Sequence, residues 1–270
     1  MNINIISYNV LNHKKSNLIM LLKKYKVKPN VINKIIKNEI KRYDIINLKL
    51  IEILKSYSND IIFLQEVNEI LLQKLKKIFF LFHTDGLDKE YRVIILPNNY
   101  RKYKIVKHEI QLVSLKTKNA LMLIINDFVL VNVHLYWKES DISNFAEKIY
   151  GEIRKKTNND KIIIGGDFNK SIKNVQENFI DKFNTKIVNH YKDYENKFTS
   201  YTTDVTEKKE KDIIDHILTT QNIISGNTEI IEDDLFIDLD IYMKLLINKY
   251  YEPKYISDHK IIKLNINSYN

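Results

Sequence analysis

The sequence contains no cysteine among its 270 residues, and this absence excludes several classes of site. Without thiols the chain cannot form disulfide bridges, thiolate zinc sites or cysteine nucleophiles. Only 5 glycines and 3 prolines are present, which excludes collagen-like repeats and long flexible linkers. No apolar run approaches the roughly 18 residues that span a bilayer, and we expect no signal peptide or membrane partner. A cytoplasmic location is therefore expected, with the nucleus as an alternative.

Positive charge is in excess, because 43 lysines and arginines compare with 34 aspartates and glutamates, a formal net charge of +9. Such an excess attracts polyanions such as nucleic acids. An AT-rich genome, which enriches isoleucine, lysine and asparagine, would produce the same excess. Hydrophobic residues make up 44% of the chain, which is enough for a buried core and argues against disorder.

Short apolar runs alternate with a few helical patterns along the whole chain. Apolar spacing predicts a short helix after residue 16, a break at Pro29, and one or two further helices up to residue 57. Further helices are expected at 68–78 and about 140–156. Strands are predicted at 5–10, 60–67, 78–82, 91–96, 104–110, 120–135 (as a hairpin turning at Asp127), 161–169, 213–218 and 260–266. We interpret this order as one α/β domain over 1–270, with two sheets packed face to face and helices outside.

Polar or ionisable residues stand where these apolar strands end. They are Asn9, Glu66, His134, Asp167, Asn169, Asp215, Asp258 and His259. Each has an ordinary structural explanation when taken alone, such as a turn asparagine or a helix-capping carboxylate. Asp215 is harder to explain in this way, because a buried carboxylate needs a partner, and His259 is the natural candidate. Together, carboxylates, an amide and imidazoles suit a hard divalent ion and a phosphate, and so indicate phosphoester hydrolysis.

The segments that carry these residues resemble a known family. SYNVLN, FLQEV, VNVHLYW, GGDFN, IIDHIL and SDHK are similar to the six ordered motifs of the endonuclease/exonuclease/phosphatase superfamily. The resemblance extends from Asn9 to His259. It implies a four-layered α/β sandwich with two mixed β-sheets, and hydrolysis of phosphoric esters that depends on Mg²⁺, or on Mn²⁺.

The resemblance also implies a role for each motif residue. Glu66 resembles the principal metal ligand, with Asn9 and Asp258 close to the ion. Asp167 resembles the residue that positions or activates the attacking water, and Asn169 its water- and phosphate-orienting neighbour.

The two histidines complete the implied site. His134 resembles the histidine that binds the phosphate and stabilises the transition state. His259 resembles the histidine at the scissile phosphate, oriented by Asp215. Either Asp167 or His259 could be the general base.

Four segments resemble the cytoplasmic deadenylase branch, which includes the nocturnin and Angel proteins. They are SYNVLN, the helix leading into LQEV, VNVHLYWKES, and FTSYTTDVTEKKEKDIIDHIL at 198–218. This branch implies a 3′-directed RNA exonuclease of the poly(A) deadenylase type, with single-stranded RNA as partner. We also expect the protein to be a monomer. Tyr136, Trp137 and Phe168 are candidates for stacking on RNA bases. His216 departs from the branch, since tyrosine is usual there.

Other functions remain open within the same superfamily. A DNA-repair endonuclease, a tyrosyl-DNA phosphodiesterase-like enzyme, and a nucleotide or phospholipid phosphohydrolase would use the same motifs. A catalytically silent binding module is disfavoured, because every motif position named above is intact.

Overall fold

A computed structural model describes most of the chain. The described residues are 3–10, 23, 26, 28–85, 90–112, 119–126, 128–135, 142–180, 183, 187–189, 191, 199–203, 209–223, 225–231 and 259–267. Most residues of the helix predicted before Pro29, the hairpin residue Asp127 and most of the region between 225 and 255 lie outside them.

Fourteen strands occur in the part of the chain that the structure describes. In chain order they are β1 (Ile3–Asn9), β2 (Ile61–Val67), β3 (Phe80–His83), β4 (Tyr91–Leu96), β5 (Ile105–Gln111), β6 (Asn119–Ile125), β7 (Phe128–His134), β8 (Lys161–Asp167), β9 (Ile187–Asn189), β10 (Ser200–Thr203), β11 (Lys209–Asp212), β12 (Asp215–Thr220), β13 (Ser225–Ile231) and β14 (Ile261–Ile266).

The helices are fewer than the strands. They are α1 (Pro29–Ser56), α2 (Glu69–Lys76), α3 (Ile142–Lys156) and the single turn α4 (Ile172–Val175), which continues as a π-helical turn over Gln176–Ile180. A 3₁₀ turn covers Asn98–Lys102. Pro29 stands at the start of α1, where its missing N–H costs no hydrogen bond. From there the chain runs as a single helix of 28 residues, and this settles the sequence alternative of one or two helices.

The strands form two six-stranded sheets and one separate hairpin. The first sheet has the order β13-β14-β1-β2-β4-β3, and the second the order β5-β6-β7-β8-β12-β9, while β10 and β11 pair with each other. Each large sheet has one parallel pair at its centre, β1 with β2 and β7 with β8, among antiparallel neighbours. Both sheets are therefore mixed, as the family resemblance implied.

Three apolar clusters show how the layers are stacked. One cluster fills the space between the sheets and includes Phe63 and Ile217. A second joins α1 and α2 to the outer face of the first sheet, through residues such as Leu50 and Leu72. A third joins α3 and the α4 region to the outer face of the second sheet. The result is the predicted α/β sandwich, with helices outside and the sheets face to face.

The sheet directions bring distant residues to one edge. The carboxyl ends of two parallel neighbours lie at the same edge, so β1 ends beside β2, and β7 ends beside β8. Strand β12 runs antiparallel to β8 with Asp215 opposite Asp167, so its first residue lies at that edge as well. The start of β14 is placed there in the same way, by antiparallel pairing with β1. No described helix is long and apolar enough to cross a membrane.

Candidate active site

Asn9 is the centre of the polar cluster at this edge. Its side-chain amide donates to Glu66 Oε1 at 3.0 Å and to Asp167 Oδ2 at 2.9 Å. An asparagine amide carries two hydrogens, so one side chain can hold both carboxylates at once. The amide of β1 thus joins the end of β2 in the first sheet to the end of β8 in the second.

Two imidazoles flank the same carboxylates. His134 Nε2 lies 3.7 Å from both Glu66 Oε1 and Asp167 Oδ2. His259 Nε2 lies 3.8 Å from Asp167 Oδ2 on another side. These separations are too long for hydrogen bonds but within the range of ion pairing. Asp167 therefore faces two groups that become cationic on protonation.

His259 is fixed from behind by Asp215. Its Nδ1 donates to Asp215 Oδ2 at 2.9 Å, and both side chains are buried. A proton on Nδ1 leaves Nε2 directed at Asp167 and Asn9, so the carboxylate sets the tautomer as well as the ring orientation. Asp215 thus has the partner that its burial required.

Backbone conformation also shapes the site. Glu66 has φ 54°, at a place where the pairing of β2 with β4 shifts register between Leu64 and Val67. Such an irregularity redirects a side chain away from the strand pattern. Asn169 has φ 52°; its backbone N–H donates to Asp167 Oδ1 at 2.8 Å and its side-chain amide to Leu135 O at 2.9 Å. Left-handed conformations of this kind concentrate at functional sites.

Burial changes the acidity of Asp167. Loss of hydration raises its pKa from 3.8 to about 7, although the charge of His259 and the Asn9 and Asn169 hydrogen bonds oppose the shift. A divalent cation beside the carboxylate would favour the charged form and lower this pKa again. Burial therefore makes Asp167 a stronger base than an exposed carboxylate, and a bound cation opposes this effect.

The donor atoms fit a hard divalent cation. Glu66, His134 and Asp167 each offer a ligand atom, and these atoms lie within 4.8 Å of one another. The two carboxylates, in a site without sulfur, suit Mg²⁺ or Mn²⁺, whereas an imidazole ligand is more usual for other transition metals. Asp258, which the resemblance places near the ion, lies outside the described residues.

The base-stacking candidates do not join this cluster. Phe168 is wholly buried, with its ring centroid 5.2 Å from that of Phe179 and 5.3 Å from that of His216. The prediction that it stacks on a substrate base is therefore wrong, since Phe168 forms part of the core. Successive residues of an extended chain face opposite sides, so a residue next to inward-facing Asp167 points away from the site. Tyr136 and Trp137 lie outside the described residues.

A buried amide pair beneath the site was not foreseen from the sequence. Gln65 Nε2 donates to Asn132 Oδ1 at 2.8 Å, and Asn132 Nδ2 donates to the backbone oxygens of Leu64 and Val93 at 2.9 and 2.8 Å. Asn132 belongs to β7, so this pair joins the two sheets directly below Glu66. The signal was an asparagine inside the apolar run VNVHL, which a buried strand tolerates only when its amide is satisfied.

The fold and the site together define a metal-dependent hydrolase of phosphoric esters. The model of the Endonuclease/Exonuclease/phosphatase family matches residues 6–259. The chain belongs to this family. Comparison with proteins of curated function gives no match.

Solved structures share the fold at low sequence identity. A humanized D. rerio TDP2 is 18% identical to this chain, and the match covers 99% of each chain with a TM-score of 0.64. Truncated Caenorhabditis elegans TDP2 is 15% identical, over 99% of this chain and 98% of that one, with a TM-score of 0.63. A Bacteroides thetaiotaomicron mannosyl-6-phosphatase is 15% identical, over 98% of this chain and 100% of that one, with a TM-score of 0.66. The deadenylase branch stays a prediction.

Proposed function

We propose that this protein is a Mg²⁺-dependent nuclease that shortens single-stranded RNA from its 3′ end, in the manner of a poly(A) deadenylase. The proposal that the protein hydrolyses phosphodiesters rests on the position of Asp167, which is held by Asn9 and flanked by His134 and His259. The RNA part is supported by the four segments that resemble deadenylases. The monomeric state and the cytoplasmic location stay predictions.

The side chains divide the work of hydrolysis between them. Asp167, with its second oxygen fixed by the Asn169 backbone, orients a water and accepts its proton. His134 and His259 direct their Nε2 atoms to the same space, where each imidazole, in its protonated form, donates to a non-bridging oxygen of a phosphate. A bound Mg²⁺ would supply positive charge for the phosphate and leaving oxygens. Glu66 is the carboxylate best placed to hold the ion.

Single-stranded DNA is the second candidate substrate. TDP2 from D. rerio, which shares the fold, was crystallised with a single-strand DNA product. A protein named a mannosyl-6-phosphatase also shares the fold. Phosphomonoesters are therefore the third class of substrate to be tested. The +9 charge favours the two nucleic acids, since a polyanion gains more from it than a small phosphate does.

A parallel substrate assay tests the proposal. The full-length protein is incubated with 5′-labelled oligoadenylate RNA, DNA of the same sequence, and mannose 6-phosphate, each with Mg²⁺, with Mn²⁺ or with EDTA. We expect a ladder of 3′-shortened RNA that EDTA abolishes. Faster cleavage of the DNA, or release of phosphate from the sugar alone, would overturn the RNA assignment and leave the hydrolase intact.

Three variants test the site independently of the substrate. Glu66→Gln, Asp167→Asn and His259→Ala should each lower kcat by about 10²–10³ on whichever substrate is cleaved, since each removes a preorganised charged or donor group. Wild-type kcat in all three would show that the site lies elsewhere.

A further inference from the structure

Thr199 makes hydrogen bonds to both segments that carry the Asp215–His259 pair. Its hydroxyl oxygen accepts from the backbone N–H of Ile214 at 3.0 Å and from that of Asp215 at 3.1 Å. Its own carbonyl accepts from Lys260 N, the residue after His259, at 2.8 Å. The side chain is fully buried. One residue therefore holds the backbone at Asp215 and the backbone next to His259.

We propose that Thr199 is a positioning residue that sets the geometry of the Asp215–His259 pair. The inference rests on the proposed function, in which His259 acts on the phosphate. Asp215 and His259 are 44 positions apart in the sequence, yet their 2.9 Å hydrogen bond requires the two backbones to be fixed within a fraction of an ångström.

The location of Thr199 in the fold supports this role. It directly precedes β10, whose pairing with β11 begins with Ser200 opposite Asp212. The chain returns from that hairpin through Ile213 and Ile214 to Asp215. Thr199 thus connects the start of this hairpin to β12, the strand that carries Asp215.

The backbone that Thr199 holds is also connected to Asp167, the carboxylate that orients the water in the proposed function. Ile214, whose N–H donates to Thr199, accepts at its carbonyl from the backbone N–H of Phe168 at 2.9 Å. Phe168 follows Asp167 directly. Movement of the Ile214–Asp215 backbone would therefore disturb both the histidine pair and the turn that holds Asp167.

The hydroxyl is the group that matters in this arrangement. A hydroxyl oxygen has two acceptor lone pairs, which matches the two N–H groups that it receives. Thr199→Val keeps the shape of the side chain but leaves both N–H groups without that acceptor, whereas Thr199→Ser keeps the oxygen. Serine should therefore preserve the geometry that valine loses.

Thr220 offers a matched control within the same strand pair. It is a buried threonine whose hydroxyl accepts from Ile162 N at 3.0 Å, at the end of β12 remote from Asp215. Thr220→Val removes one buried hydrogen bond of the same kind, where Thr199→Val removes two, so it reports the general cost of such a change without touching the pair.

The kinetic test uses the full-length protein, Mn²⁺ and bis(p-nitrophenyl) phosphate, beside the best substrate of the assay above. Loss of an outer partner of a functional histidine costs about 10–100-fold in activity, and we expect this fall in kcat for Thr199→Val with KM unchanged. Thr199→Ser should recover most of the loss, and Thr220→Val should retain wild-type kcat. In an Asp215→Ala background, Thr199→Val should have a smaller further effect than in the wild type, because the part of its effect that passes through His259 is already lost.

A spectroscopic readout is independent of turnover. The Nδ1 proton of His259 should give a downfield proton NMR signal in the wild type that is absent in Asp215→Ala. We expect Thr199→Val to shift or broaden this signal and Thr220→Val to leave it in place. If His259→Ala retains activity, the proposed function is at fault. If His259→Ala is inactive while folded Thr199→Val behaves like Thr220→Val in both readouts, the positioning role of Thr199 is wrong.

Discussion

At the scale of single residues, His216 provides a test of how burial controls charge beside the site. Burial lowers its pKa from 6.5 to about 4, although the Lys170 carbonyl and the charge of Asp215 oppose the shift. Between pH 4 and pH 6.5, His216 therefore binds a proton in the unfolded chain but not in the folded protein. The free energy of unfolding should therefore fall by about 3 kcal/mol from this group as pH drops from 7 to 4.

The measurement is urea unfolding of the wild type and His216→Asn at pH 7 and pH 4. The variant lacks the titrating ring, so its stability should fall less over this interval. The difference between the two pH dependences removes the contribution of the carboxylates and of the other histidines, because both proteins share these groups. Parallel pH dependences would show that His216 is protonated in the folded protein.

Residue types predicted which side chains come together at this edge better than they predicted side-chain direction. The residues at strand ends were identified because apolar runs seldom end in so many ionisable groups without a purpose. The prediction for Phe168 is wrong, because a residue that is adjacent to Asp167 in the sequence need not point to the same side of the strand. Thr199 carried no chemical signal of its own, since its contribution depends on backbone groups that only the fold brings to its hydroxyl.

At the scale of elements, β8 requires glycine immediately before Asp167. Gly166 has φ 145°, and an added Cβ would lie 1.9 Å from the backbone oxygen of Val133 in β7. Neither strand can yield easily, because both are central in the second sheet. Gly166→Ala should therefore destabilise the protein by at least about 3 kcal/mol, or prevent folding.

Gly151 is the matched control for this substitution. It lies within α3, and an added Cβ there would meet no atom within 4 Å. Gly151→Ala should raise stability by roughly 0.5–1 kcal/mol, through helix propensity. Thermal unfolding of both variants measures the contrast. If Gly166→Ala had only a mild effect on stability, β7 and β8 would be able to move apart and make room for the added Cβ.

The elements that were predicted well are those with long, strongly patterned apolar runs. Strands such as β4 and β7 and the helix α3 were found within a few residues of their observed bounds. Strands β9, β10, β11 and β13 were not predicted, because they are short or polar and are defined by pairing with distant partners. Strand β11, with the sequence KEKD, has no apolar pattern from which a strand could be recognised.

At the scale of the whole molecule, the site exists because two sheets present their strand ends at one edge. Glu66 comes from the first sheet and Asp167 from the second, and Asn9 bridges them. Sequence order alone could not supply this convergence, because it depends on which strands pair and in which direction. The family resemblance implied it, and the parallel pairs β1–β2 and β7–β8 account for it physically, because each pair ends at one edge of its sheet.

The net charge of +9 leads to a prediction about substrate capture by the whole molecule. If the substrate is a single strand that contacts about three phosphates, the logarithm of its affinity should fall with a slope near −2 against the logarithm of salt concentration. A fourfold rise in salt would then raise KM about 20-fold, while KM for bis(p-nitrophenyl) phosphate should change little. Kinetics at 50 and 200 mM KCl, with the metal concentration fixed, measure both values. Equal salt responses for the oligonucleotide and the small diester would mean that the positive charge plays no part in binding, and that the lysine excess follows from genome composition.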